Sequence, residues 1–311
     1  MMKKATYYKI IDNFFKLITY CASILVFVIV SAIFISLVIE AFPAIEKFGF
    51  IKFIASTDWD PVKEIFGAAT TIYGTIMTTL LALIFAIPLS IGIAIFITEI
   101  CPIRLKPFFS TTIELLAAIP SIIYGMWGLF TLAPIMGNYV EPFIQSIFSY
   151  IPLINKLFSG TTRGIDLFTS GLILSIMITP FITSIVRDTF ELTPQPLKES
   201  AYGVGATKWE VIKDVMIPYC KMGIYGSVII AMGRALGETM AVAFVLGNKH
   251  QISTSLFDAS ATITVTLANE FTEADSDIYL SSLFYLALIL FTMSFILLAL
   301  AKYFLTGRKL K

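Results

Sequence analysis

Hydrophobic positions in this chain come in long unbroken runs separated by short polar segments. They show neither the alternation of a half-buried strand nor the narrow stripe of a soluble amphipathic helix. Six runs are long enough to cross a bilayer core of about 30 Å: residues 17–39, 71–97, 108–133, 170–187, 223–246 and 280–303. The first is too long for a signal-peptide core and no small-residue cleavage site follows, so it is expected to remain as a span.

The polar segments differ in kind. Those at 40–70, 134–169 and 248–279 alternate with the spans on one side. The first holds Trp59 between Asp58 and Asp60, in the manner of an interfacial anchor. The second has an apolar patch at 143–151 that either lies on the membrane surface or packs on another subunit. The third ends in acidic residues. On the other side, 188–221 is expected to fold as a helix–turn–helix. Pro194 and Pro196 discourage continuation of the fourth span, and Pro196 suits the first turn of a new helix through Glu199, Ser200 and Ala201. Gly203 and Gly205 permit a sharp turn. Thr207 and Glu210 then form a capping box for a second short helix, with Trp209 free to fill a groove and Pro218 breaking the helix before the fifth span.

Composition agrees with a membrane protein: of 311 residues, 57% are hydrophobic and 14% charged. Charge then orients it. Lys3, Lys4, Lys9, Lys16, Arg104, Lys106, Arg187, Lys198, Lys208, Lys213, Lys221, Lys302, Arg308, Lys309 and Lys311 fall on the side of the chain ends. Lys47, Lys52, Lys63, Lys156, Arg163 and Lys249 fall on the other. The excess of positive charge places both termini in the cytoplasm. Cys21, Cys101 and Cys220 show no pairing framework.

Inside the fifth span stands Gly233-Arg234-Ala235-Leu236-Gly237-Glu238-Thr239-Met240-Ala241-Val242. A continuous helix puts Arg234 and Glu238 at i and i+4 on one face. Beside them runs a stripe of Gly223, Gly226, Gly233, Gly237 and Ala241 that admits a close neighbour. The pair is either a buried ion pair that fixes packing or a pathway element for an anion; intramembrane charges default to function. Glu114 and the run Ala118-Ile119-Pro120-Ser121-Ile122-Ile123-Tyr124-Gly125 form a second candidate wall. There Pro120 loosens the helix, while Ser121 and Tyr124 offer hydroxyls; alternatively Glu114 only snorkels. No P-loop run is present, and one histidine, His250, on the outer side supports no catalytic or metal constellation. A surface role is expected for it.

The loop Glu199-Ser200-Ala201, Gly205, Val215-Met216-Ile217-Pro218 resembles the signature loop of type I ABC-importer permeases, with Ser200, Val215 and Ile217 as departures. That resemblance implies an all-α integral membrane protein of six transmembrane helices, a MetI-like permease fold with cytoplasmic coupling helices. Thr57-Asp58-Trp59-Asp60-Pro61, Ile119-Pro120-Ser121-Ile122-Ile123-Tyr124-Gly125, the run through Arg234 and Glu238, and Ser255-Leu256-Phe257 with Leu267–Ala274, in that order, are similar to the phosphate-importing branch of the family. The organisation implied is a cytoplasmic N-terminus (1–16), a first span with outer segment (17–70), a permease domain (71–303, coupling loop 188–221) and a cytoplasmic tail (304–311).

The branch implies a heterodimer with a PstA-type sister permease, a PstB-type ATPase dimer, and a PstS-type phosphate-binding protein. No cofactor is expected on this chain, since ATP and magnesium belong to the ATPase; the chain is not an enzyme and sits in the bacterial inner membrane. Pathway residues implied are Arg234, Glu238, Thr239, Ser121 and Tyr124; ATPase-coupling residues are Glu199, Ser200, Ala201, Gly205, Trp209 and Pro218. The alternatives are the PstA-type sister subunit, a permease for another oxyanion, or, in a different class, an anion channel.

Overall fold

The computed structural model describes residues 2–306, with the side chains of 2–10, 152–154, 305 and 306 left aside. The side chains of Lys3, Lys4 and Lys9, and the whole of Arg308, Lys309 and Lys311, which entered the charge argument, lie outside that description. The described residues form helices joined by turns and loops, with isolated bridges and no extended sheet. In chain order the helices are α1 (Met2–Phe48), α2 (Phe50–Ala55), α3 (Ala69–Ile100), α4 (Lys106–Ala118), α5 (Ser121–Phe148) and α6 (Pro152–Phe158). Then follow α7 (Leu167–Glu191), α8 (Gln195–Gly203), α9 (Lys208–Leu236), α10 (Met240–Ala243), α11 (Ile263–Glu270) and α12 (Asp277–Thr306). Among the described residues five helices are long and apolar enough to span, and α4 with α5, bent by 90° at their break, makes up to a sixth when the pair is counted as one span.

α7 is the enclosed axis. Leu174, Ile178, Ile182, Val186 and Phe190 recur every fourth residue and are all fully buried, so one row of side chains packs along α3 while others meet α9. Pro180 removes an amide from α7, and polar ties gather at that level: Ser90 Oγ donates to the Thr179 carbonyl at 3.1 Å. A second core closes the far end, where Phe53 stacks on Tyr285 at 4.3 Å and Phe66 on Tyr279 at 5.1 Å. α1 is apolar all round, leans on α12, and exposes most of its side chains at 11–39, as a lipid-facing span does.

Three expectations change. The third span does not run straight through 108–133: the helix stops at Ala118 and restarts at Ser121, because Pro120 has no amide and Ile119 takes extended geometry. The fifth span does not run helical from 223 to 246: α9 ends at Leu236. Nor does Pro218 break a short helix before that span. A wide turn over Val211–Met216 precedes it, and α9 is continuous from Lys208, with Cys220 buried inside it rather than in a loop.

Candidate functional site

The break in α9 lies where charge and small residues coincide. Gly237 ends the helix and Glu238 and Thr239 are non-helical. The side chain of Glu238 then turns forward: its Oε1 accepts from the Ala241 amide at 3.1 Å, capping the restarted helix α10. Its carbonyl accepts from Thr264 Oγ1 at 2.7 Å, at the start of α11. Groups freed by the break are thus taken up by protein, as a membrane requires. Arg234 and Glu238 therefore do not share one helical face, and they form no ion pair. Arg234 sits in the last turn of α9, where a cation is favoured by the helix dipole. It is exposed, and its guanidinium lies 4.3 Å above the Phe181 ring of α7. Among the described residues it has no carboxylate partner.

The second wall meets the first. A side chain at Gly125 would come within 2.5 Å of the Met240 carbonyl, so only glycine lets α5 press onto α10 there. Tyr124 is buried and its hydroxyl donates to the Leu116 carbonyl at 2.8 Å, spanning the Ile119–Pro120 break. That hydroxyl is committed to the backbone rather than offered to a pathway. Ser121, half-buried at the open end of α5, makes no side-chain hydrogen bond among the described residues. Thr239 borders a groove shared with Leu37 of α1 and Leu283 of α12. The glycine stripe does not face one neighbour: Gly223 abuts Thr189, Gly233 approaches Leu298, Gly226 looks into open space, and Gly237 meets the Gly233 and Arg234 carbonyls of its own helix.

Up to its capping box the loop after α7 keeps the expected form. Gly205 takes φ +91°, and Thr207 and Glu210 cap each other reciprocally. Nothing on α8 is buried; Glu199 and Ser200 are exposed and Ala201 half-buried, while Val204 is 87% and Trp209 61% exposed. Apolar surface is thus left exposed around a capped helix.

Residues 90–310 match the family model described as binding-protein-dependent transport system inner membrane component. The chain belongs to this family. Among the relatives, a protein of Mesorhizobium japonicum named phosphate transport system permease protein PstC is 54% identical over 94% of this chain and 90% of its own length. The protein of that name from Haemophilus influenzae is 47% identical over 95% and 93%. Among solved structures, a bacterial alginate ABC transporter in complex with alginate-bound periplasmic protein superposes with TM-score 0.56, at 16% identity, over 85% of either chain. The fold is that of the ABC-importer permeases, a transport component in the membrane.

Several permease contacts escaped the sequence. Arg187 on α7, 12% exposed, reaches Glu114 on α4 at 3.1 Å and Asp188 at 2.7 Å. His250 is not a surface residue: it stacks on Trp59 at 5.4 Å and puts Nε2 3.3 Å from Glu270. Glu270 also accepts from Trp59 Nε1 and Tyr279 OH, both at 2.7 Å. Burial pushes this carboxyl up, but His250, Tyr279 and Trp59 together outweigh it and hold Glu270 below its ordinary range. Glu141 and Asp166 are both fully buried and both touch the Thr169 hydroxyl, at 3.4 and 3.3 Å. Burial, then the charge of Glu141, pushes Asp166 up to about 8. An acid in a mostly apolar stretch was the signal available for either pair; which partner it meets was not.

Proposed function

We propose that the chain is the PstC-type permease subunit of an ATP-driven, binding-protein-dependent phosphate importer, supplying half of the translocation path. The 54% identity to a named phosphate permease over 94% of the chain carries this reading. Its partners are a PstA-type permease in heterodimer, a PstB-type ATPase dimer under the α8 face, and a PstS-type binding protein on the opposite face. Both chain ends and α8 then lie in the cytoplasm, and ATP with magnesium is handled by the ATPase.

The site geometry supports a defined part for each group. Arg234 offers an unpaired guanidinium at membrane depth, which attracts an oxyanion without a carboxylate to compete for it. Glu238 holds the helix break open by capping α10, and Ser121 and Thr239 supply hydroxyl groups to the same path. Glu199, Ser200, Ala201, Gly205 and Trp209 present the docking face, and Pro218 stands beyond it in the span that carries motion inward.

The test is uptake of labelled phosphate by cells lacking this chain and carrying it restored, as the natural sequence, Arg234→Gln, Glu238→Gln or Glu238→Ala. The natural chain restores uptake and Arg234→Gln loses at least about tenfold, the scale of one charge contact. Glu238→Gln, which still accepts from the Ala241 amide, keeps most uptake, while Glu238→Ala loses it. Loss with Glu238→Gln equal to Glu238→Ala would mean that charge, rather than the cap, matters. No uptake with the natural chain and all partners present would overturn the cargo.

A further inference from the structure

Three ammonium groups from three separate segments converge on the last turn of α3. Lys106, opening α4, donates to the Thr98 carbonyl at 2.5 Å. Lys208, opening α9, donates to the Glu99 carbonyl. Lys198, in the middle of α8, puts Nζ 2.6 Å from Glu99 Oε1. That turn is widened over Phe96–Ile100, and its carbonyls carry the unsatisfied negative end of the helix dipole. The cations therefore meet a site where charge already favours them.

The Glu99–Lys198 pair stands apart from a rim salt bridge, because both side chains are only 13% exposed. Removing one member strands a largely buried charge. Its place on α8 also sets it apart. No residue of α8 is buried, and Leu197 and Tyr202 are 43% and 44% exposed. Little apolar packing secures this helix, and the ion pair is its polar tie to α3. A polar cavity of about 380 Å³, bordered by Thr98, Glu99, Lys106, Glu191, Lys198 and Glu199, opens beside the tie. The α3 end is in turn tied to α4 through Lys106, and α4 leads to the Ile119–Pro120 break that presses α5 on α10.

We propose that Glu99 is the positioning residue through which displacement of α8 is passed to α3 and α4. This rests on reading α8 as the ATPase-docking helix. Besides the Val211–Met216 turn of α9 against which α8 lies, the ion pair is the contact through which displacement of α8 reaches α3. α3 is then moved through Glu99, while α9 follows α8 through their shared turn and through Lys208.

The experiment uses the whole complex in proteoliposomes with binding protein and phosphate, reading phosphate transported and ATP hydrolysed in parallel. Glu99→Gln and Lys198→Met are expected to lower phosphate moved per ATP by about tenfold while hydrolysis continues, within the range of ordinary coupling energies. Lys198→Arg, which keeps the pair, retains the natural ratio. Unchanged stoichiometry in Glu99→Gln, or an equal fall of transport and hydrolysis in all three variants, would overturn the joint. A natural complex that moves no phosphate on ATP would instead sink the importer reading. A variant that fails to assemble is judged by the other two, since each removes or keeps the same contact from a different side.

Discussion

At one end of the bundle a single carboxylate, Glu270, gathers Trp59, Tyr279 and His250; at the other, three lysines gather on the end of α3. Both are polar hubs, yet their surroundings are opposite. Glu270 sits among stacked aromatic rings that join residues 56–66, the loop before α11, and α12. The α3 hub borders a polar cavity and holds a helix with nothing buried on it. Packing backs the first, and charge alone backs most of the second. That difference suits a fixed frame at one end and a more mobile loop end at the other, and local stability is expected to follow it.

The largest break in the comparison comes from Glu270→Ala. It leaves Trp59 Nε1 and Tyr279 OH without their acceptor in a half-buried site, worth about 3 kcal/mol for two donors. Thermal unfolding of the detergent-solubilised protein should fall by several degrees, well beyond the fall in Glu99→Gln. Equal losses in the two variants would erase the distinction between a packed and a charge-held hub.

The Glu141–Asp166 pair sharpens the comparison with pH. Asp166 titrates near 8 in the folded chain and, unfolded, near its ordinary 3.8, so the folded state binds the extra proton between those values. Stability from this group is complete below about pH 4 and lost by about pH 8. Other charges nearby are few: Arg163, whose backbone packs on Gly137, is exposed, and Asp258, whose carbonyl accepts from Leu167, turns its carboxylate to Ser253. Asp166→Asn keeps an acceptor for the Thr169 amide and removes the titration. Thermal stability at pH 5 and pH 9 should diverge between natural and variant chains by about 2 kcal/mol, a fraction of the full shift. Parallel pH profiles would show that the pair does not share a proton.

How far the sequence reaches follows the same division. α1, α3, α7 and α12 were legible because a lipid-facing or enclosed span is a continuous apolar run whatever it packs on. The loop was legible because its determinants are local: Gly205 adopts φ +91°, and Thr207 reaches three residues to Glu210. The breaks were not. Pro120 was visible, but not the 90° bend, nor that Tyr124 captures the Leu116 carbonyl across it. Gly237 reads as an ordinary small residue of a membrane helix until Glu238 is seen turning to the Ala241 amide. Glu99 and Lys198 stand far apart along the chain, and His250 gives no hint that Trp59 covers it; partners of that kind belong to the tertiary structure.

The smallest expected effect tests whether the loop end is governed by backbone shape as well as charge. Gly205 has φ +91° with nothing within 4 Å of where a side chain would begin, so a substitution there is disfavoured by conformation and not by collision. Gly205→Ala should therefore destabilise the turn by about 1 kcal/mol and leave the unfolding of the whole bundle almost unchanged. Its consequence is local: the turn sets the distance between Lys198 on α8 and Lys208 opening α9, both of which grip Glu99. A looser turn lets the two grips act separately, so phosphate moved per ATP should drop a few-fold. Gly205→Asn, which tolerates positive φ better, should drop it less. If Ala and Asn were equally harmful, a side chain in that open space would be blocking the docked ATPase, and the turn would be part of the interface and not only its hinge.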